Sequence, residues 1–211
     1  MAKISVIIPV YNCASWIARS LRSILDQSLS RNDYEIIVVN DGSTDNLIEV
    51  IEPYMDDIVF INQEQNKGLP FSLNQGILKS RGRFVIRLDG DDYVHRDYLK
   101  IPYMFLTLNP EMDAVAVDYI KVDEQENVLS RNNCLEDPIG CAIMFRHEQL
   151  VGLGLYNENQ KLHEEKELMF RFRKKHSLTR IPLPLYRYRD RQGSLSKNNN
   201  LKKIFGQDYE Q

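Results

Sequence analysis

The chain has 211 residues, 43% of them hydrophobic and 27% charged, with 10 Gly, 8 Pro and 3 Cys. That composition can bury one substantial core and excludes a disordered or low-complexity chain, and no apolar run approaches the ~18–20 residues of a membrane-spanning helix. The net charge of −3 argues against a nucleic-acid binder, although residues 161–211 carry about twice as many basic as acidic side chains.

From the N-terminus, Ile4 to Ile8 is a β-branched run of strand length, and similar runs follow at 35–39, 58–61 and 83–88. Strands so continuously apolar belong to a sheet covered on both faces, hence a parallel one. Between them Trp16, Ile17, Leu21, Ile24 and Leu25 recur at helical spacing, as do Leu47, Ile48 and Ile51, and then Phe71, Leu73, Ile77 and Leu78. The alternation predicts an α/β fold with a doubly wound, mostly parallel central sheet flanked by helices. After Asp92 the rhythm changes. The pattern predicts a helix over about 95–108, a strand over 114–122, a hairpin near 126–131, an apolar run over 140–145 and a short helix at 147–151. A helix over 163–176 and an extended stretch over 182–188 follow, and from Lys197 the chain reads as a basic, poorly ordered tail. No Pro- or Ser-rich linker interrupts residues 1–196, so they are expected to form a single domain with a small C-terminal region.

Ligands of open α/β sheets sit beyond the carboxyl ends of the strands. The first strand runs into Pro9-Val10-Tyr11-Asn12, the second into Asp41-Gly42-Ser43-Thr44-Asp45, the fourth into Asp89-Gly90-Asp91-Asp92. Two acidic clusters on one edge repel each other and invite a cation or hydrogen-bond donors. Hard oxygens around a Gly turn at Asp89–Asp92 suit Mn2+ or Mg2+, and they read equally as a plain Asp-Gly turn. Ser43 or Thr44 reads also as the cap of the next helix. In the helix over 163–176, Glu165 shares a stripe with Leu168, Met169 and Phe172, where the helix dipole is expected to keep an inward carboxylate ionised and suited to general-base work.

There is no phosphate-binding P-loop, no dinucleotide fingerprint after the first strand, no metal spacing among the four His and no nucleophile elbow. Cys13, Cys134 and Cys141 never form Cys-x-x-Cys, so neither a disulfide framework nor a structural zinc is expected. With no signal-peptide pattern at the start, the expectation is a cytoplasmic protein, in contact at most peripherally with the inner membrane face or a partner through its basic end.

The residues just quoted, in their order, resemble a family 2 glycosyltransferase of the GT-A fold from Ile4 to about Ser196. The resemblance rests on the Ile4–Asn12 start, the Asp41–Asp45 turn, Asn66-Lys67-Gly68, Asn74-Gln75-Gly76-Ile77 and Asp89–Asp92. It implies a nucleotide-diphospho-sugar donor, a UDP-sugar foremost, a saccharide or lipid-linked saccharide acceptor, and inversion at the anomeric centre. By the same resemblance, residues 1–92 form the nucleotide-binding half and 93–196 the acceptor and catalytic-base half. Pro9, Tyr11 and Asp41 would hold base and ribose, and Asn12, Ser43, Asn66, Lys67, Asn74 and Gly90 would line the donor site. Asp89 would touch ribose or sugar, and Asp91 with Asp89 would hold Mn2+ or Mg2+. The Glu164–Glu165 pair would stand at the catalytic position, with Glu165 as base.

Three departures from the family pattern bear on activity. Glu165 replaces an Asp, Leu73 stands where many members have Arg, and Arg189 takes the place of a His late in the chain. The leading expectation is a metal-dependent inverting glycosyltransferase of cell-surface polysaccharide or glycoconjugate synthesis. The alternative is a catalytically weak or partner-dependent GT-A module that binds a nucleotide-sugar.

Overall fold

The computed structural model describes residues 2–160 and 164–191. His163, the Gly193–Ser196 stretch and the 197–211 tail lie outside the described residues. Strands β1 (Ile4–Val10), β2 (Tyr34–Asp41), β3 (Val59–Gln63) and β4 (Phe84–Arg87) alternate with helices α1 (Ala14–Leu25), α2 (Leu47–Ile51) and α3 (Leu69–Lys79). The second half adds β5 (Tyr93–Val94), α4 (Lys100–Leu108), β6 (Ala114–Val122), β7 (Val128–Asn132), β8 (Ile143–Arg146), α5 (His147–Gly152), α6 (Glu164–Phe172) and β9 (Leu178–Arg189).

Among the described residues nine strands join one sheet in the order β3-β2-β1-β4-β8-β6-β9-β5, with β7 also paired to β6. Its first four strands are parallel, as their continuous apolar runs predict. β8, β7 and β5 run antiparallel to their neighbours, whereas β9 lies parallel to β6. Side-chain alternation divides the core. Ile4, Val6 and Ile8 of β1 pack with Ile17, Leu21 and Ile24 of α1, Leu47 of α2 and Leu106 of α4. Ile7 of the same strand faces the opposite layer, with Leu73 and Ile77 of α3, Leu150 of α5 and Leu168 and Phe172 of α6. Gly76 lets α3 close on the sheet, because a Cβ there would stand 2.5 Å from Ile7 Cγ2.

Two elements differ from expectation. α4 begins at Lys100 rather than near 95, since the preceding turns are tied to the end of α1: Ser28 donates through its backbone N–H to Arg96 O at 2.7 Å. The stretch over 182–188 belongs to a twelve-residue strand whose register against β6 shifts between Val117 and Tyr119 to accommodate Pro182 and Pro184.

Candidate active site

The carboxyl ends of β1, β2 and β4 form one rim. Pro9 is buried in β1 past the point where pairing with β4 stops at Ile7, so its missing N–H costs no bond on that side. Tyr11 follows and is 47% exposed, leaving its ring open to a flat ligand. Asn12 adopts φ +50 and interlocks with the turn after β2. Its N–H donates to Ser43 Oγ at 3.0 Å, and its Oδ1 accepts from Thr44 N at 2.8 Å. Neither Ser43 nor Thr44 caps α2, whose N-cap is Asn46 without a side-chain bond. The cap goes elsewhere: Asp45 Oδ2 accepts the Ala14 N–H at 2.8 Å, satisfying a first-turn amide of α1 and adding negative charge at its positive end.

Asp41 is buried, and its two oxygens accept the backbone N–H groups of Lys67 at 2.8 Å and Gly68 at 3.0 Å. It therefore clamps the loop that carries Asn66 and Lys67, both exposed at the rim. Gly42 makes the approach feasible: at φ +70, a Cβ would stand 2.5 Å from the Gln65 carbonyl carbon. Asn74, expected among the donor contacts, is instead buried beneath the rim. Its amide donates to Tyr156 O and Glu158 Oε1 and accepts from Tyr156 N, so it fastens the 156–158 loop to α3. That structural duty consumes the groups a ligand would need.

The Asp89–Asp92 turn is surrounded by donors. Arg87 grips Asp89 with two bonds of 2.5 and 3.0 Å. Gly90 is buried with its Cα facing Val10 and Ile17, so the turn rests on the end of β1. Asp91 Oδ2 accepts from Arg191 Nε at 2.6 Å. Asp92 is buried, accepting the Tyr186 hydroxyl at 2.6 Å and the Arg189 N–H at 2.7 Å. Burial, then the charges of Asp91 and Asp89, pushes the Asp92 carboxyl well above the usual range. Arg189 does not offer its charge to a ligand. It is 3% exposed, stacks 4.5 Å over Trp16, and bonds Asp91 O, Glu124 O and Glu126.

Ligand atoms of Asp89, Asp92 and Cys141 lie within 4.8 Å of one another. Burial and then Asp89 and Asp92 push the Cys141 thiol up, and a protonated soft sulfur ligates Mn2+ or Mg2+ poorly. The hard-oxygen donors that fit such an ion are Asp91 and Asp89, whose side chains keep 18% and 21% exposure.

The Glu164–Glu165 pair approaches from the start of α6. Glu164 accepts from Arg87 Nη1 at 3.0 Å, so one guanidinium spans Asp89 and Glu164. Glu165 packs against Gly140, where a Cβ would stand 2.9 Å from Glu165 Cβ. The helix dipole does not keep Glu165 at an ordinary value: burial, then the neighbouring Glu164, pushes its carboxyl up to about 7. The stripe is otherwise as expected, with Leu168, Met169 and Phe172 buried. Arg171 serves structure, holding Glu167 and the carbonyls of Leu153 and Leu155.

Sequence reasoning missed Arg87, Arg191, Tyr186 and Cys141. Arg87 carried a signal, a lone charge closing an apolar strand two residues before an acidic turn.

The profile of Glycosyl transferase family 2 matches residues 5–180. An uncharacterized glycosyltransferase of Rickettsia bellii is 35% identical over 133 residues, 63% of this chain and 19% of that protein. S. aureus TarS in complex with UDP-GlcNAc is similar in structure with TM-score 0.79 at 22% identity, covering 91% of this chain and 60% of that one. PcManGT, a mannosyltransferase of Pyrobaculum calidifontis in complex with GDP-Man and Mn2+, gives TM-score 0.70 at 18% identity over 90% of this chain and 58% of that one. These two likenesses bear out the GT-A fold. The chain spans about a fifth of the length of several curated relatives, the Rickettsia protein among them. No described helix is long and apolar enough to cross a membrane.

Proposed function

The chain belongs to glycosyl transferase family 2, and on that footing we propose that it transfers a sugar from a nucleotide-diphospho-sugar to a hydroxyl acceptor with inversion. The observation that carries this is the convergence of the Tyr11–Asn12, Asp41–Asp45 and Asp89–Asp92 segments on one rim, with α6 tied to that rim through Arg87. A UDP-sugar is the favoured donor, by analogy with TarS, whose structure holds UDP-GlcNAc. The acceptor would be a saccharide or lipid-linked saccharide of cell-surface polymer synthesis.

In this reading residues 1–92 bind the nucleotide and residues 93–196 supply the acceptor side and the base. Tyr11 offers its exposed ring to the base, and the loop held by Asp41 closes the far side with Asn66 and Lys67. Asp89 and Asp91 would hold Mn2+ or Mg2+, which when bound neutralises the diphosphate leaving group. Glu165 accepts the acceptor's hydroxyl proton as the oxygen attacks the anomeric carbon opposite the diphosphate, and the sugar–phosphate bond breaks. A carboxyl held near 7 suits that step, because half of it is ionised at neutral pH while it remains a stronger base than an ordinary Glu.

The test is a calorimetric titration with UDP, GDP, dTDP and CDP, followed by transfer and donor-hydrolysis assays with the sugar nucleotides of whichever base binds. UDP binding together with sugar transfer supports the reading. UDP binding without either reaction across a broad panel favours the partner-dependent module, and no binding overturns the donor site.

A further inference from the structure

Arg191 stands just past the end of β9, and its position spans the mouths of two strands. Its Nε donates to Asp91 Oδ2 at 2.6 Å, in the turn after β4, while Nη2 lies 3.6 Å from Cys13 Sγ at the start of α1. The pair is sheltered, with side chains 19% and 18% exposed. Arg191 is brought there by the strand that precedes it. Arg189 binds Asp92 through its backbone N–H and Asp91 O through Nε at 2.9 Å, and the Tyr186 hydroxyl bonds the same Asp92. The end of β9 is thus stitched to the acidic turn, and Arg191 follows two residues later.

The two contacts use two of the five N–H donors of a guanidinium. That group is planar, permanently charged and matched to phosphate oxygens through paired bonds. Without Arg191, the Asp91 carboxylate alone would repel an incoming diphosphate; with it, the same spot presents a neutral ion pair.

We infer that Arg191 is a ligand for the diphosphate of the nucleotide donor and the standing counter-cation of Asp91, so that nucleotide binding has a metal-independent component. The inference rests on the donor-site reading above. A divalent cation competes with Arg191 for Asp91, and the affinity it adds is correspondingly reduced.

The test titrates UDP into the wild type, Arg191→Ala and Arg191→Lys, each in EDTA and in Mn2+. The wild type should bind in EDTA within about tenfold of its Mn2+ affinity. Arg191→Ala should lose about tenfold or more in EDTA, the weight of one charge-assisted hydrogen bond, and recover most of it with Mn2+. Arg191→Lys, with charge but no fork, should fall between. It also serves as the second variant if Arg191→Ala does not give the wild-type melting curve. Equal EDTA affinities for wild type and variants overturn the inference, as does a wild type that binds UDP only with Mn2+; both leave the donor site standing. Absence of binding to UDP, GDP, dTDP or CDP in every condition overturns the inference and the donor site together.

Discussion

Asp89 and Glu164 share one guanidinium: Arg87 bonds Asp89 through Nε and Nη2 and Glu164 through Nη1. Burial weakens the charged form of Arg87, but Asp89 and then Glu164 more than offset it, and the Arg87 pKa is raised. The end of β4, last of the four parallel strands of the first half, and the first turn of α6 are therefore held by one buried ionic node.

Arg87→Met should unfold the protein more easily. Removing one partner of a buried ionic cluster costs about 3–5 kcal/mol, because the remaining charges are left unpaired. In a chain of this size that lowers Tm by roughly 10 °C. Thermal unfolding checks it, and Arg87→Met with Glu164→Gln should recover part of the loss. An unchanged Tm for Arg87→Met would mean that the node adds nothing.

Glu165→Gln should bind UDP as the wild type does and transfer no sugar. In the wild type the base must be deprotonated, so kcat should rise through pH 7 and level off above it. A flat profile between pH 6 and 8 would remove Glu165 from the role.

The same carboxyl has a stability signature. Its pKa of about 7 when folded exceeds the ordinary value, so the folded state holds the proton more tightly. Stability from that proton is complete below about pH 4 and lost as pH rises through 7. Glu165→Gln should therefore raise stability at pH 8, by on the order of 1–3 kcal/mol, and leave it nearly unchanged at pH 4. Urea titrations at the two pH values would show it.

Much of this fold was legible in the chain. β6 spans the residues expected of it, 114–122, and the parallel strands announced themselves by uninterrupted apolar runs. β5 did not, since two residues carry no period, and β9 was read short because two prolines obscured a strand whose register shifts around them. Within the site, the turns were visible because backbone geometry demands Gly and Asp locally. The pairing of Arg87 with Glu164, or of Arg191 with Asp91, depends on how distant strands and helices meet, and no local spacing encodes that. Asn74 illustrates the converse: a residue in a familiar motif whose amide is taken by a loop from the other half.

Gly42→Ala should abolish the rim without removing a charge. The left-handed backbone alone costs about 1–2 kcal/mol for a residue with a Cβ, and here that atom meets main-chain atoms of Gln65 and Asn66 that cannot rotate away. UDP affinity should drop at least about tenfold, as expected for a mis-set binding loop. Gly152→Ala, with nothing near its added Cβ, should bind UDP normally and serves as the control.

Asn74→Ala should lower thermal stability by about 2–3 kcal/mol, for three hydrogen bonds lost in a buried setting, while UDP affinity changes less than about threefold. A selective loss of affinity at unchanged Tm would restore it to the donor contacts.

The position of β9 in the sheet bears on how the chain is made. Asp91 and Asp92 leave the ribosome well before Tyr186, Arg189 and Arg191, which supply them with hydroxyl, amide and guanidinium donors. Until β9 inserts between β6 and β5, a nascent chain carries two adjacent carboxylates that still lack these donors, beside an unfilled slot in its sheet. A strand made after its neighbours β6 and β5 thus lies between them, and a ribosome-stalled chain ending before residue 186 should remain protease-sensitive and engage chaperones, whereas one that has released residue 191 should not.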